Sequence, residues 1–284
     1  LPDAVCLVGF GDRSMNDAFY KQAPNLKLVQ LLSAGYDRCD IEAARRAGIP
    51  ICNNGGANST AVSEHAILLM MAVSRRLVWQ HDNVAAGRWR GNDVANTKLF
   101  ELRGKTLGVY GLGKIGEPVA AAGADFGMRV LCFARTATAQ RARELGHEAA
   151  ADKAQFFSEA DVLSVNLRMS EATRGIITAA DLALMKPTSL IVNTSRAELF
   201  VPGVLVEALK NGRPGFGATD VYENEPVQGG NHPLLTLPNA ICTPHTAWLE
   251  PTTYEMYFGE AFQQAAQYAA GKPVKLLNPD VKPR

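Results

Sequence analysis

Short apolar runs recur along the chain, separated by stretches whose apolar residues return at helical spacing, the pattern of strands alternating with helices. The first runs are residues 4–10 (A-V-C-L-V-G-F), 26–32 and 50–53, with helical patterns at 14–22 and 40–47 between them. From residue 58 to about 86 the pattern predicts one long helix carrying A-V-S-E-H-A-I-L-L-M-M-A-V, apolar on more than one side. Such a helix is buried within the protein or between subunits. Glycine- and asparagine-rich text at 87–96 then marks a domain crossing. Beyond it, strands are predicted at 106–110, 129–133, 162–166, 189–193, 215–219 and 240–242, with helices at 179–185 and 203–211, the latter stopped by Asn211-Gly212. A last helix at about 252–270 follows Pro251, and its composition suits packing back on the first domain. Strands that alternate with helices build parallel sheets. The expected organisation is an α/β chain with a first domain at 1–95, a second at 96–248, and a C-terminal helix at 249–284 returning to the first.

The most informative stretch opens the second domain. The apolar run ending at Tyr110 enters Gly111-Leu112-Gly113-Lys114-Ile115-Gly116, a helical pattern follows to Phe126, and a second apolar run closes the unit. Glycine at these three positions allows a tight turn, close approach of backbone to a pyrophosphate, and close packing of helix on strand, while the helix N-terminus offers N–H groups to phosphate. A dinucleotide site is therefore expected. An NAD site usually carries an acidic residue at the end of the second strand to accept from the ribose 2′-OH. Here Ala134, Arg135 and Thr136 stand there. A guanidinium pairs with a 2′-phosphate that a carboxylate would repel, so NADP(H) is favoured with NAD(H) as the alternative; Arg141 and Arg143 are candidates to extend the basic patch. The competing reading makes Arg135 an ordinary solvated loop residue.

Composition narrows the setting. At 284 residues and 47% hydrophobic the chain can bury two cores, and a net charge of +1 gives no reason to expect a nucleic-acid or anionic-membrane partner. No apolar run reaches membrane-spanning length, and no secretory leader pattern is present. The five cysteines are scattered without paired spacing, four of them in or beside apolar runs, and read as small buried hydrophobes in a reducing cytosol. No metal-ligand cluster is expected.

Candidate chemistry sits at strand ends. Ser33-Ala34-Gly35-Tyr36 and Asn53-Asn54-Gly55-Gly56 follow the second and third strands, where parallel sheets collect ligands, although both also read as ordinary turns. Arg196, Glu225 and His245 stand at or just after strands of the second domain. An imidazole can move the proton that accompanies hydride transfer, a carboxylate can orient it, and a guanidinium can hold a substrate carboxylate and polarise the adjacent carbonyl. That set suits interconversion of a 2-oxo acid and a 2-hydroxy acid, against the plainer reading of three solvated loop charges. His65, inside the long helix, reads as a hydrogen-bonded core or interface histidine rather than a ligand.

The succession G-L-G-K-I-G, D-L-A-L-M-K-P-T-S-L-I-V-N-T-S-R, D-V-Y-E-N-E-P and H-P-L-L-T-L-P-N-A-I-C-T-P-H, with S-A-G-Y-D and N-S-T-A-V-S-E-H before it, resembles the D-isomer-specific 2-hydroxyacid dehydrogenases over nearly the whole chain. The resemblance implies a Rossmann dinucleotide-binding domain inserted in a flavodoxin-like substrate domain, a homodimer built through the long helix, and a glyoxylate/hydroxypyruvate reductase-like or phosphoglycerate dehydrogenase-like activity. It implies that Arg196 binds the substrate carboxylate and carbonyl, Glu225 supports His245, and His245 is the general acid/base. It further implies that Asp220 and Thr194 lie at the cofactor, that Asp220 holds the nicotinamide carboxamide, and that Ser33, Ala34 and Gly35 offer main-chain N–H groups to the substrate. Glu223 is expected to be a solvated loop residue and His232 to be structural. Tyr36 and Trp248 are candidates for pocket walls, with interface packing as the other reading of Trp248.

Three departures stand out. Ala197 and Phe200-Val201-Pro202 follow Arg196 where the family has glycine and then an acidic residue, which questions the local loop. Ala134 replaces the usual acidic residue. The family carries a further strand and helix before the first run, so a unit of roughly 30 to 50 residues is expected upstream of Leu1. Two alternatives accompany the enzyme reading: a nucleotide-sensing corepressor-like interaction protein on the same fold, and a formate-type dehydrogenase, against which Glu225 argues because that variant carries glutamine there.

Overall fold

The computed structural model describes residues 1–12, 14–89, 99–133, 136–272 and 275–281. Most of the expected crossing at 87–96, together with Ala134 and Arg135, lies outside the described residues. In chain order the elements are β1 (Cys6–Gly9), α1 (Asp17–Lys21), β2 (Leu28–Leu31), α2 (Ile41–Ala47), β3 (Ile51–Cys52), α3 (Ser59–Ser74), α4 (Leu77–Ala85), β4 (Thr106–Tyr110), α5 (Gly116–Asp125), β5 (Arg129–Phe133), α6 (Thr136–Glu144), β6 (Glu148–Ala149), α7 (Lys153–Glu159), β7 (Val162–Val165), α8 (Ala179–Leu184), β8 (Leu190–Asn193), α9 (Val204–Lys210), β9 (Phe216–Thr219), β10 (Ala240–Cys242) and α10 (Pro251–Ala269). They form two compact units, 1–59 with 248–284, and 60–247.

In the first unit β1, β2 and β3 form a parallel sheet in that order, with Cys6 beside Leu28 and Val29 beside Ile51. Leu26, Val29, Leu31, Ala43, Ala44 and Ile51 make its core. Asp40 caps α2 by accepting from Ala43 N, and Gly48 ends it at φ 68°. Glu250 caps α10 by accepting from the N–H groups of Thr252 and Thr253. Asn54, fully buried, ties α10 to β2: its amide donates to Tyr257 O at 2.5 Å, and its Oδ1 accepts from Gln30 at 2.7 Å and Gln264 at 3.3 Å. Leaving such groups unpaired in a core would cost about 1–3 kcal/mol each.

The second unit holds a seven-stranded, all-parallel sheet in the order β10-β9-β8-β7-β4-β5-β6. The chain starts in the middle at β4, winds outward to β6, then crosses back to β7 and out to β10. Strand order thus reverses between β4 and β7, and in doubly wound sheets a ligand crevice opens at the carboxyl ends of the strands at that point. Strand residues such as Leu107, Val162, Leu163 and Leu190 are completely buried because helices cover both faces.

The structure departs from the pattern in several places. The long helix is two helices, broken where Arg76 adopts φ 48° and lays its guanidinium 5.0 Å from the Trp79 ring. Neither glycine nor proline announces this break. The compact unit begins at Thr60 rather than near 96, because Ala66, Leu69, Met70 and Val73 of α3 share one core with Leu107, Val109 and Val119. An all-round apolar helix does not encode which core it joins. The two-residue strand β6 is too short to show a period. Helix α7 escaped notice although Asp152 caps it and Phe156 and Phe157 bury completely. Of the cysteines, Cys52 and Cys132 are buried and Cys242 is half-buried, but Cys6 is exposed, since β1 is the edge of its sheet. Burial pushes the Cys132 thiol up to about 12 and Cys52 up to about 11.

Candidate active site

The fingerprint turn is shaped by what a side chain would strike. Gly111 sits at φ 96°, and a Cβ there would lie 2.9 Å from Asn166 O at the end of the neighbouring strand β7. At Gly116 a Cβ would lie 2.0 Å from Gly111 O, so turn and helix could not close. Around Gly113, by contrast, a Cβ would meet nothing within 4 Å. The two outer glycines make the turn, and the middle one leaves room above it. Helix α5 begins here without a side-chain cap, which leaves its first N–H groups for an external anion.

At the end of β8, Thr194 is buried, and its hydroxyl has no hydrogen-bond partner among the described residues. An open fingerprint turn and an orphaned buried hydroxyl at carboxyl ends of one sheet fit a dinucleotide. Leu112, Lys114 and Ile115 lie in the turn; Lys114 is exposed and Ile115 half-buried. Thr136 opens α6. Arg141 is not available to a basic patch: it donates from Nε and Nη2 to Glu117, both at 2.9 Å. The Arg141 guanidinium holds the Glu117 carboxyl below its ordinary range.

Asn193 closes the loop after β8 from both sides. Its Oδ1 accepts from Ser195 N at 3.0 Å and its Nδ2 donates to Arg196 O at 2.9 Å, while Ser195 Oγ donates to Val165 O at 2.9 Å. The departures at Ala197 and 200–202 therefore leave a tied loop: Ala197–Leu199 form one turn of 3₁₀ helix, and Phe200 bridges to Ile177. Arg196 stands half-buried at its start, Nη1 donating to Ser195 O at 2.8 Å.

Glu225 and His245 come together. Glu225 Oε1 accepts from Tyr222 N at 2.8 Å, and Oε2 lies 2.7 Å from His245 Nδ1. A carboxylate only accepts, so the imidazole proton sits on Nδ1 and the ring's lone pair lies on Nε2. The histidine side chain keeps 33% of its surface and Glu225 12%. His245 occupies φ 55°, a conformation that costs a residue other than glycine on the order of 1 kcal/mol. Its N–H donates to Thr243 O at 3.1 Å, and the next two N–H groups, of Thr246 and Ala247, donate to Asp220 at 2.9 Å each.

Asp220 is completely buried. Besides those two amides it accepts from Thr243 Oγ1 at 2.6 Å, and His65 Nε2 lies 3.1 Å from that hydroxyl and 3.7 Å from the carboxylate. His65 is thus hydrogen-bonded and mostly buried, and Thr243 is a site-adjacent residue that the sequence reading missed. The parallel register that places Cys242 beside Thr219, one residue before each, foretells the Asp220–Thr243 contact only once the strand pairing is known.

Glu223 is not simply solvated: its Oε2 lies 3.1 Å from His232 Nε2. His232 Nδ1 accepts from Leu234 N at 3.3 Å as the cap of a short 3₁₀ turn, and its ring meets Tyr222 edge-on at 5.0 Å. In the first unit, Ser33 Oγ donates to Gly35 O at 2.7 Å and Asn53, just after β3, donates to Ala34 O at 2.8 Å, so the loop after β2 is braced both from within and from the end of the next strand. Tyr36 is half-buried against that unit's core, and Trp248 sits among Phe10, Tyr254 and Tyr257, with ring centroids 5.3–5.9 Å apart. Among the described residues there is no cluster of three metal-ligating side chains and no helix long and apolar enough to cross a membrane.

A doubly wound sheet with an open glycine turn, an Arg at one strand end and a Glu–His pair at the next define a dinucleotide-dependent oxidoreductase. Comparison with known proteins makes this narrower. Residues 67–247 match the family described as D-isomer specific 2-hydroxyacid dehydrogenase, NAD binding domain. The chain is 36% identical over 265 residues to a glyoxylate reductase of Aeropyrum pernix, covering 92% of this chain and 78% of that one. It is 36% identical over 241 residues to a D-3-phosphoglycerate dehydrogenase of Methanocaldococcus jannaschii, covering 85% and 45%. Among solved structures, a phosphoglycerate oxidoreductase from Vibrio cholerae superposes with a TM-score of 0.83 at 40% identity, covering 94% of this chain and 84% of that one. The chain belongs to the D-isomer-specific 2-hydroxyacid dehydrogenase family; it is an oxidoreductase that uses a nicotinamide dinucleotide.

Proposed function

We propose that the protein reduces a small 2-oxo acid to the D-2-hydroxy acid with a preference for NADPH. The observation that carries the reading is the 2.7 Å contact of His245 Nδ1 with Glu225, which turns Nε2 outward as the proton-transferring nitrogen. Gly111, Gly113, Gly116 and Thr194 would hold the dinucleotide, which when bound supplies a hydride at nicotinamide C4. Arg196 binds the substrate carboxylate and polarises the carbonyl. Protonated His245 gives its Nε2 proton to the carbonyl oxygen, and Glu225 stabilises the imidazolium that carries it. Ser33, Ala34 and Gly35 serve as main-chain donors to the carboxylate; Asp220, expected at the carboxamide, is instead closed off and holds the Thr246 and Ala247 amides. The glyoxylate reductase and phosphoglycerate dehydrogenase relatives support a small 2-oxo acid as substrate. Preference for NADPH rests on Arg135 and on Ala134 in place of an acid.

Exposed Leu68, Met71, Leu77, Val78 and Trp79 on α3 and α4 support a homodimer through that face. The free thiols of all five cysteines are in keeping with a reducing cytosol.

The test is the loss of NADPH and NADH absorbance against a panel of 2-oxo acids, with the full chain and its His245→Asn variant. Turnover that disappears in the variant while cofactor still binds supports the assignment. Turnover that persists overturns it. Arg135→Asp is expected to lower the NADPH/NADH ratio of kcat/KM, and an unchanged ratio removes that residue's role.

A further inference from the structure

The donor and acceptor inventory around Asp220 runs in one direction. Thr243 Oγ1 has a single proton and donates it to Asp220 Oδ1 at 2.6 Å. Toward His65 Nε2, 3.1 Å away, the same oxygen can only accept, so the histidine proton sits on Nε2. The chain of hydrogen bonds is therefore His65 to Thr243 to Asp220. Asp220 then receives two more bonds, from Thr246 N and Ala247 N. Those amides immediately follow His245, whose backbone is held at φ 55°. On the other flank, His245 N donates to Thr243 O, and Tyr222 Oη donates to the same carbonyl at 2.9 Å. Thr243 thus touches both flanks of His245: its carbonyl holds the residue's own amide, and its hydroxyl orients the carboxylate that holds the next two.

We propose that His65 and Thr243 are positioning residues for His245. They keep its backbone in the left-handed conformation that turns the imidazole to Glu225. Neither residue needs to touch substrate or cofactor for this. A strained conformation persists only where its surroundings over-determine it, and here three backbone amides in a row, at 245, 246 and 247, are fixed by the Thr243–Asp220 pair. The proposal rests on the reading of His245 as the acid/base.

The test compares Thr243→Val, which keeps the shape and removes the hydroxyl, with Thr243→Ser, which restores it. In parallel, His65→Leu is compared with His65→Gln, which retains a side-chain N–H. Expected are a kcat for the 2-oxo acid lowered about 10- to 100-fold in the valine and leucine variants, as a small misplacement of a reacting group produces. NADPH affinity by fluorescence should stay within about twofold of the parent, and serine and glutamine should recover most of kcat. The imidazole proton resonance of His245, identified by its absence in His245→Asn, should shift in Thr243→Val and return in Thr243→Ser. A kcat within about twofold of the parent in both disruptive variants, or a serine variant as impaired as the valine one, overturns the proposal. If the parent reduces no 2-oxo acid, the functional reading fails. The resonance comparison still decides the positioning role, an unmoved signal in Thr243→Val overturning it.

Discussion

Two histidine–glutamate pairs draw on Glu223 and Glu225, two positions apart in one loop, and they differ in which ring nitrogens are engaged. His232 is bonded through both nitrogens: Nδ1 accepts from Leu234 N and Nε2 meets Glu223. His245 is bonded through Nδ1 alone, to Glu225, and among the described residues its Nε2 has no hydrogen-bond partner. Exposure follows the same division, 15% for the His232 side chain against 33% for His245. The carboxylates differ in the opposite sense: Glu223 keeps 44% of its surface, whereas Glu225 keeps 12% and is also fixed by Tyr222 N. A half-buried, doubly held carboxylate under a half-open imidazole is the arrangement that suits the proposed proton transfer. An exposed carboxylate on a satisfied imidazole makes a loop clasp.

This contrast can be broken most directly by paired substitutions. His245→Asn is expected to lower kcat by at least about 100-fold, the usual contribution of a general acid/base, while His232→Asn leaves it within about threefold by the same assay. Equal losses would end the distinction. Next in size, Glu225→Gln is expected to reduce kcat about tenfold or more, because a neutral partner no longer stabilises the imidazolium. Glu223→Gln should leave turnover nearly unchanged, and initial rates at saturating cofactor measure both.

The converse effect concerns stability. His232→Ala removes a cap and a partner for Glu223 and should lower unfolding free energy by about 1–2 kcal/mol, read from denaturant midpoints, with kcat preserved. The smallest effect is a pH dependence at the cofactor domain's surface. Arg141 depresses the Glu117 pKa, so this pair stabilises the fold above the ordinary carboxylate range, and that contribution is lost as pH falls through the depressed value. In Arg141→Gln the thermal midpoint should drop slightly at neutral pH and converge with the parent in acid. It should leave the NADPH/NADH ratio unchanged, unlike Arg135→Asp.

Six of the seven strands in the second unit's sheet were legible, because strands buried on both faces read as continuous apolar runs; β6, two residues long, was not. Ala240–Cys242 was located to the residue. Arg196, Glu225 and His245 were marked by their places after strands and by the family motif. Thr243 and the environment of His65 were not, because nothing local distinguishes a relay threonine from any other in C-T-P-H. The break at Arg76 was equally silent, since no helix-stopping residue marks it in the sequence.

The sequence alone determined the α/β class, the position of the glycine turn, and the residue types available for hydride and proton chemistry. These follow from short-range rules of periodicity, glycine sterics and donor inventory. Only the tertiary structure decided which ring nitrogen of each histidine is engaged, that Thr243 joins His65 to Asp220, and which core the helix after residue 59 belongs to. Those outcomes depend on pairings between residues 20 to nearly 180 positions apart, such as Glu225 with His245 and His65 with Thr243. A one-dimensional pattern carries no distance between them; the register of β9 beside β10 and the packing of α3 supply it.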